Sequence, residues 1–255
     1  RDYNRVASFF TRGCNAASPT QYGSTVAIGN VVVSPSEFMP RLFAENGRLL
    51  DSQGRITLDT PEALRALENY RETYSYSDRT IYDFWKNALE GFADGTAAMT
   101  VVFINYASHI LNSQMSRIAG KLGFAPVPGG KPLLGGGVIG IAQSCTCPAA
   151  ACKFLEWLYA DLVAPVFTML GGLSPCRSAY SNRDISEQYP WLSTARKSFP
   201  TAQRRSNSTY YQNFSELQLE TILAAHVQQA VLGVCSPEEA LKQAQEDCNR
   251  YFQPW

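Results

Sequence analysis

The run AAMTVVFI, residues 97–104, constrains this chain more than any other segment. It is apolar or small throughout, has the length of a strand, and does not alternate, which is the pattern of a strand covered on both faces and paired in parallel. Helical patterns flank it: one of roughly residues 80–94 stops at Asp94-Gly95, and a polar one spans 106–117. STVAIGNVVV (24–33) reads as a further strand, KLGFAPV (121–127) as a short one, and GVIGIAQ (137–143) as a second strand of the buried type. Strands alternating with helices predict an α/β architecture.

Local signals place most of the remaining elements. DYNRVASFFTRG (2–13) has helical spacing and ends on Gly13, and Ser34-Pro35-Ser36-Glu37 has a capping serine, a first-turn proline and a glutamate, predicting a helix from there to about Gly47. GRLLDSQGRITLD predicts a hairpin turning at Ser52-Gln53-Gly54, and Thr60-Pro61-Glu62 opens a helix with Leu64, Leu67 and Tyr70 or Tyr74 on one stripe. Pro128-Gly129-Gly130 marks a turn. Residues 148–170 read as one or two helices meeting near Pro165 and ended by Gly171-Gly172, while 173–214 shows no periodic face. Two helices close the chain, SELQLETILAAHVQQAVLG and SPEEALKQAQEDCNRYF, the second opened by the capping box Ser236-x-x-Glu239.

Composition excludes several classes. With 45 % hydrophobic residues in 255 the chain can fill a core, and 22 Lys+Arg against 22 Asp+Glu leave no basic field to gather phosphates. Dedicated nucleic-acid binding is not expected, and any membrane association is peripheral at most. The most apolar stretch, 154–170, is broken by Glu156, Asp161 and Pro165, short of the roughly 20 uncharged residues of a span. The chain begins Arg1-Asp2-Tyr3 without a basic and apolar leader, so a signal peptide is expected to be absent or already removed.

Catalytic inventory is thin. No G-x-S-x-G, H-E-x-x-H or phosphate-loop motif occurs, and the histidines are His109 and His226. His226 shares a face with Leu219, Ile222, Leu223 and Val227, the setting of a hydrogen-bonded core histidine. Gly135-x-Gly137-x-x-Gly140 matches a dinucleotide fingerprint but lacks the strand before and the helix after. Cys145, Cys147 and Cys152 resemble a ligand cluster without a fourth ligand, so small buried residues or one local disulfide are expected there rather than a metal, and a bridge would favour an oxidising compartment. Seven cysteines leave at least one unpaired. Sequons at Asn207 and Asn213 lie in the irregular segment, and STYYQNF (208–214) reads as a satellite core or an aromatic platform.

Five segments in order carry a resemblance: NGRLLDSQGRITLDTPEALRALENY, FADGTAAMTVV (92–102), LGFAPVPGGKPLLGGGVIGIAQ followed by AACKFLEWL, GGLSPCRSAY (171–180), and LGVCSPEEALKQAQ (232–245). Together they resemble the maltose-binding-protein-like extracellular solute-binding proteins (family 1), the receptors of ABC importers. That resemblance implies a type II periplasmic-binding-protein-like α/β fold: two lobes joined by a hinge that close on one ligand, most often a sugar. Measured against it, residues 1–133 and 187–255 correspond to the second, C-terminal lobe. Residues 134–186 correspond to a return segment of the first lobe, whose N-terminal part is missing. Without that lobe the face of GVIGIAQ and its helices would be exposed, at about 25 cal/mol per Å² of apolar surface. Either the chain is a fragment of a longer protein or it packs this segment differently.

The resemblance also implies a cleft. Neutral polyols are held by aromatic faces and planar polar groups in a closing, water-excluding site. Phe103, Asn105 and Tyr106 follow the AAMTVV strand, at the strand end where open α/β sheets bind ligands, and replace a Trp used by relatives. Ser36, Glu37 and Phe38 open a helix whose free amides can donate. Gly135, Gly136 and Gly137 allow close backbone approach, with Gly137 standing where relatives carry an aromatic. Arg177 corresponds to a position near cleft and hinge, and Tyr211 or Tyr210 to the rim. The expected role is capture of a small solute, a sugar or oligosaccharide, in the periplasm or at the cell surface and delivery to ABC permease subunits, with no catalysis, cofactor or metal. The alternative is a glycoside hydrolase, which needs a second carboxylate beside Glu37.

Overall fold

The computed structural model of the protein describes residues 2–29, 31–80, 84–181 and 189–255. In chain order these form α1 (Asp2–Phe9), β1 (Tyr22–Thr25), α2 (Val33–Ala44), α3 (Pro61–Ser75), α4 (Trp85–Ala93), β2 (Ala97–Thr100), α5 (Ala107–Leu111), α6 (Pro148–Leu158), α7 (Val163–Met169), α8 (Pro190–Ser198), α9 (Glu216–Leu232) and α10 (Pro237–Tyr251). Single 3-10 turns lie at Ile104–Tyr106, Arg177–Tyr180 and Phe199–Thr201.

β1 and β2 run parallel, with Tyr22 opposite Ala97, Ser24 opposite Met99 and Thr25 opposite Thr100. The Thr25 hydroxyl donates to Thr100 Oγ1 at 2.7 Å and ties the two strands where they end. The direction is the expected one and the extent is smaller: these two strands are the whole sheet among the described residues, and Ala98, Met99 and Thr100 are only half-buried. The strand expected over 24–33 stops at Thr25 because side chains take up the carbonyls of residues 27 and 28. The Tyr70 hydroxyl donates to the Ala27 carbonyl, and Gln228 Nε2 and the Ser34 hydroxyl donate to the Ile28 carbonyl at 2.8 and 3.0 Å. With their carbonyls satisfied, these residues need no neighbouring strand. On the other side α1 lies so close that a Cβ on Gly23 would fall 1.7 Å from the Ala7 carbonyl oxygen, so glycine alone fits there.

The main core gathers Phe38 and Leu42 of α2, Leu67 and Tyr70 of α3, Leu219, Leu223 and Val227 of α9 and Leu241 of α10. Local signals define these helices as expected. Thr60 accepts the Ala63 N–H, Ser215 accepts that of Gln218, Ser236 accepts that of Glu239, and Gly233 closes α9 at φ 79°. The hairpin forms as well: Leu50 bridges Ile56, and Asp51 Oδ1 accepts the N–H groups of Gln53 and Arg55 at 2.8 and 2.9 Å. His226 Nε2 meets Asp247 Oδ2 at 2.9 Å, a hydrogen-bonded histidine at the edge of this core.

Several elements differ from expectation for local reasons. α1 ends at Phe9 instead of Gly13 because the Thr11 hydroxyl takes the Ala7 carbonyl at 2.8 Å and accepts the Gly23 N–H at 3.0 Å. The pattern over 106–117 shortens to α5, since Asn112 adopts an extended backbone and its Oδ1 accepts the Gln114 N–H at 2.9 Å. α2 begins slightly earlier than expected, with Val32 as its uncapped N-terminal residue and Ser34 already inside. The helices of 148–170 break over 159–162, and Pro165 sits harmlessly in the first turn of α7. The segment 173–214 contains α8, opened by Pro190 and buried through Trp191, Leu192 and Ala195.

The largest correction concerns 137–143. GVIGIAQ forms no strand and is open to solvent: Val138 is 99 % exposed and Ile139 57 %. α6 buries none of its residues. The same exposure overturns the expected burial of the cysteine trio, since Cys147 and Cys152 are exposed, Cys145 is half-buried, and all seven thiols are free. KLGFAPV likewise finds no strand partner and contributes Phe124 to two small apolar clusters.

Candidate functional site

Both parallel strands deliver their chains to one end of the molecule, so the segments after Thr25 and after Thr100 lie side by side. The first turns into α2 through Val31, a β-branched residue at φ 55° that is 40 % exposed. Such residues avoid the left-handed region, so this turn is strained at Val31. The second leads to Phe103 and the 3-10 turn Ile104–Tyr106.

A closed circuit of contacts surrounds this end. Phe103 meets Trp85 edge to face, with ring centroids 5.0 Å apart and an interplanar angle of 82°. Trp85 packs on Ala27, Ala88 and Val33, the first residue of α2. One turn on, Ser36 Oγ accepts a hydrogen bond from Arg205 Nη2 at 2.9 Å. Two residues before Arg205, Gln203 pairs by its backbone with the segment 132–134: its N–H donates to the Pro132 carbonyl at 2.8 Å, and its carbonyl accepts the Leu134 N–H at 2.7 Å. The next residue, Gly135, returns the circuit to its start, because a Cβ there would stand 3.0 Å from Phe103 Cε1. An aromatic wall, a charged donor and a side-chain-free backbone thus share one rim. Aromatic faces and a few fixed polar groups are what a site for small hydroxylated molecules needs.

Charge at the rim is paired. The Arg205 guanidinium touches the Glu220 carboxylate as well as Ser36, keeping 26 % of its side chain exposed against 3 % for Glu220. Burial pulls the Arg205 pKa down, against the opposing pull of the Glu216 charge. Glu216, one turn before Glu220, has its carboxyl pushed up by burial against the opposing pull of Arg205, and its Oε1 is buried without a hydrogen-bond partner among the described residues. No group of three or more His, Cys, Asp or Glu side chains among the described residues is arranged to hold a metal ion.

The structure brings Ser36, Phe103 and Gly135 to this rim, with Asn105 exposed in the adjoining 3-10 turn. Gly136 and Gly137 follow Gly135 into open space. Tyr106 turns away onto Leu89, Ala93 and Ile110. Other expected site residues are elsewhere. Phe38 is fully buried in the main core, and Glu37 is buried against Arg41 at 3.0 Å, so burial pushes its carboxyl up while Arg41 opposes. The free amides expected at Ser36 and Glu37 do not exist there: the Ser36 N–H donates to the Val32 carbonyl, the Ser34 N–H to the Gly29 carbonyl, and Pro35 has none. Arg177 is exposed in its own 3-10 turn beside a separate cluster. Tyr211 belongs to the core with Phe214 and Phe252, which decides STYYQNF in favour of packing.

Two rim residues were not anticipated from sequence, Trp85 and Arg205. Arg205 lay in a segment without periodicity. The usable signal was Glu220, a carboxylate one position from Leu219 and three from Leu223 on a buried helix face, which demands a cationic partner.

The chain belongs to the bacterial extracellular solute-binding protein family, whose model matches residues 14–194. A probable amino-acid ABC transporter periplasmic-binding protein from Sinorhizobium fredii is 20 % identical over 182 residues, covering 70 % of this chain and 42 % of that protein. Among solved structures, an ABC transporter solute-binding protein from Agrobacterium radiobacter K84 in complex with ribitol is similar at TM-score 0.76 and 20 % identity over 98 % of this chain and 64 % of that one. Maltose-bound MalE3 of T. maritima gives TM-score 0.79 at 21 % identity, over 96 % and 63 %. These similarities show the type II periplasmic-binding fold. This chain spans less than two thirds of the length of these relatives.

Proposed function

We propose that this chain is the ligand-binding C-terminal lobe, with a return segment, of a two-lobed receptor that captures a small polyhydroxylated solute outside the cytoplasm and presents it to ABC permease subunits. The lobe comprises residues 1–133 and 187–255, and 134–186 belong to the partner lobe. The observation that carries the reading is the rim that joins Trp85 and Phe103 to Ser36, Arg205 and the Gly135 backbone. Ring faces shield the C–H surface of a polyol while the guanidinium and serine meet its hydroxyls, and a second lobe closing over the rim would exclude water. The bare face of 137–170 supports a missing partner, since an isolated domain gains nothing by leaving Val138, Leu162 and Leu170 in water. Ribitol and maltose, named for the similar solved proteins, are polyhydroxylated. Glu37, the acid on which a glycosidase reading rests, is a packing element paired with Arg41.

The test is a thermal-shift screen of this chain and of the gene's full reading frame against sugars, sugar alcohols and amino acids. Saturating ligand at a hundredfold over Kd stabilises by about 2.7 kcal/mol. A sugar or sugar-alcohol shift in the longer product supports the reading. Shifts with amino acids alone, or turnover of a glycoside, sink it.

A further inference from the structure

We infer that Arg205 is the ligand-anchoring donor of the rim and that its pairing with Glu220 sets specificity, admitting neutral polyhydroxylated ligands and rejecting their carboxylate analogues; this rests on the solute-binding reading above. A guanidinium carries five N–H donors in a fixed fork. Arg205 commits one nitrogen to Ser36 Oγ at 2.9 Å and another to Glu220, and a quarter of its side chain remains exposed, one helical turn along α2 from the Val33 on which Trp85 packs. It therefore arrives at the ligand already oriented, from a segment fixed to 132–134 by two backbone hydrogen bonds.

An unpaired arginine here would be an anion trap. This one is not: the carboxylates of Glu220 and Glu216 stand beside a single guanidinium, and the neighbouring Glu37 and Arg41 cancel each other. The Arg205 guanidinium, matched by these carboxylates, therefore offers little surplus positive charge of its own to a carboxylate ligand, which would also face repulsion from Glu220. A hydroxyl suffers neither cost, because it accepts from the guanidinium and can donate to a carboxylate oxygen.

The experiment is calorimetry on the full reading frame with a sugar alcohol or aldose that binds and with the aldonate of the same carbon skeleton. Wild type should bind the neutral ligand at least about tenfold more tightly, on the scale by which an unpaired or repelled charge weakens binding. Glu220→Gln, which removes the neutralising charge, should narrow that preference about tenfold, and Arg205→Met should weaken neutral binding about tenfold or more. A wild-type preference for the aldonate overturns the inference without any variant. So does neutral binding and selectivity unchanged within about twofold in folded Arg205→Met and Glu220→Gln proteins, a result that leaves the solute-binding reading standing. Failure of wild type to bind either ligand class overturns both.

Discussion

The hydroxyl of Tyr211 accepts the backbone N–H of Ile56 at 2.9 Å, joining residues 155 positions apart. Ile56 is 4 % exposed and Tyr211 8 %, so the bond is dry. It lets the C-terminal aromatic cluster of Tyr211, Phe214 and Phe252 hold the hairpin that precedes α3. Tyr211→Phe keeps the ring packing and strands the Ile56 N–H, which costs about 1–3 kcal/mol for a buried unsatisfied donor. A urea titration of the variant measures it, and a midpoint unchanged at equal slope would show that water or another acceptor replaces the hydroxyl.

Features legible in the sequence are those decided within a few residues. Thr60, Ser215 and Ser236 each cap an amide three positions on, Gly233 ends α9, and the turn at Gly54 is held by Asp51. Parallel pairing of AAMT was legible because an unalternating apolar run has few other uses. Features that depend on distant partners were not legible. Arg205 reaches Ser36 across 169 residues, and Trp85 meets Phe103 from the far side of β2. GVIGIAQ differs for the same reason: an apolar run reports that something covers it, and here the described residues leave Val138 bare and Ile139 more than half exposed.

Cysteine reactivity should divide sharply. Cys248 is fully buried in the main core, and burial with the nearby Asp247 charge pushes its thiol up to about 12, so almost no thiolate exists at neutral pH. Cys14, Cys147 and Cys152 are exposed. Labelling the native protein with a thiol reagent followed by peptide mapping should modify these three rapidly and Cys248 only after unfolding. Native labelling of Cys248 at a comparable rate would mean that α10 opens far more readily than its packing implies.

Glu37 makes a pH-dependent contribution with a defined sign. Burial raises its carboxyl pKa in the folded state, with Arg41 opposing, so the native protein holds this proton more tightly than the unfolded chain. Its contribution is then fully present below the unfolded value of about 4.3 and is lost as pH rises through the folded pKa. Glu37→Gln removes that loss. Plotted from pH 4 to 7, the denaturation midpoint of wild type should fall relative to that of the variant, and parallel curves would refute the assignment.

The bare face of residues 137–170 yields the sharpest contrast between this chain and a longer product. Val138 is 99 % exposed, Leu162 87 % and Leu170 80 %, and none of them contributes burial to the described structure. Leu170→Glu should therefore change the stability of this chain by no more than about 0.5 kcal/mol, the range of surface substitutions, and improve its solubility. In the full reading frame, where the proposed first lobe covers that side chain, the same change buries a carboxylate in an apolar contact, and the cost rises to several kcal/mol. Differential scanning calorimetry of the two forms reads this directly. Equal, negligible effects in both would show that the segment 134–186 faces water in the complete protein as well, and the division into a lobe and a return segment would fall.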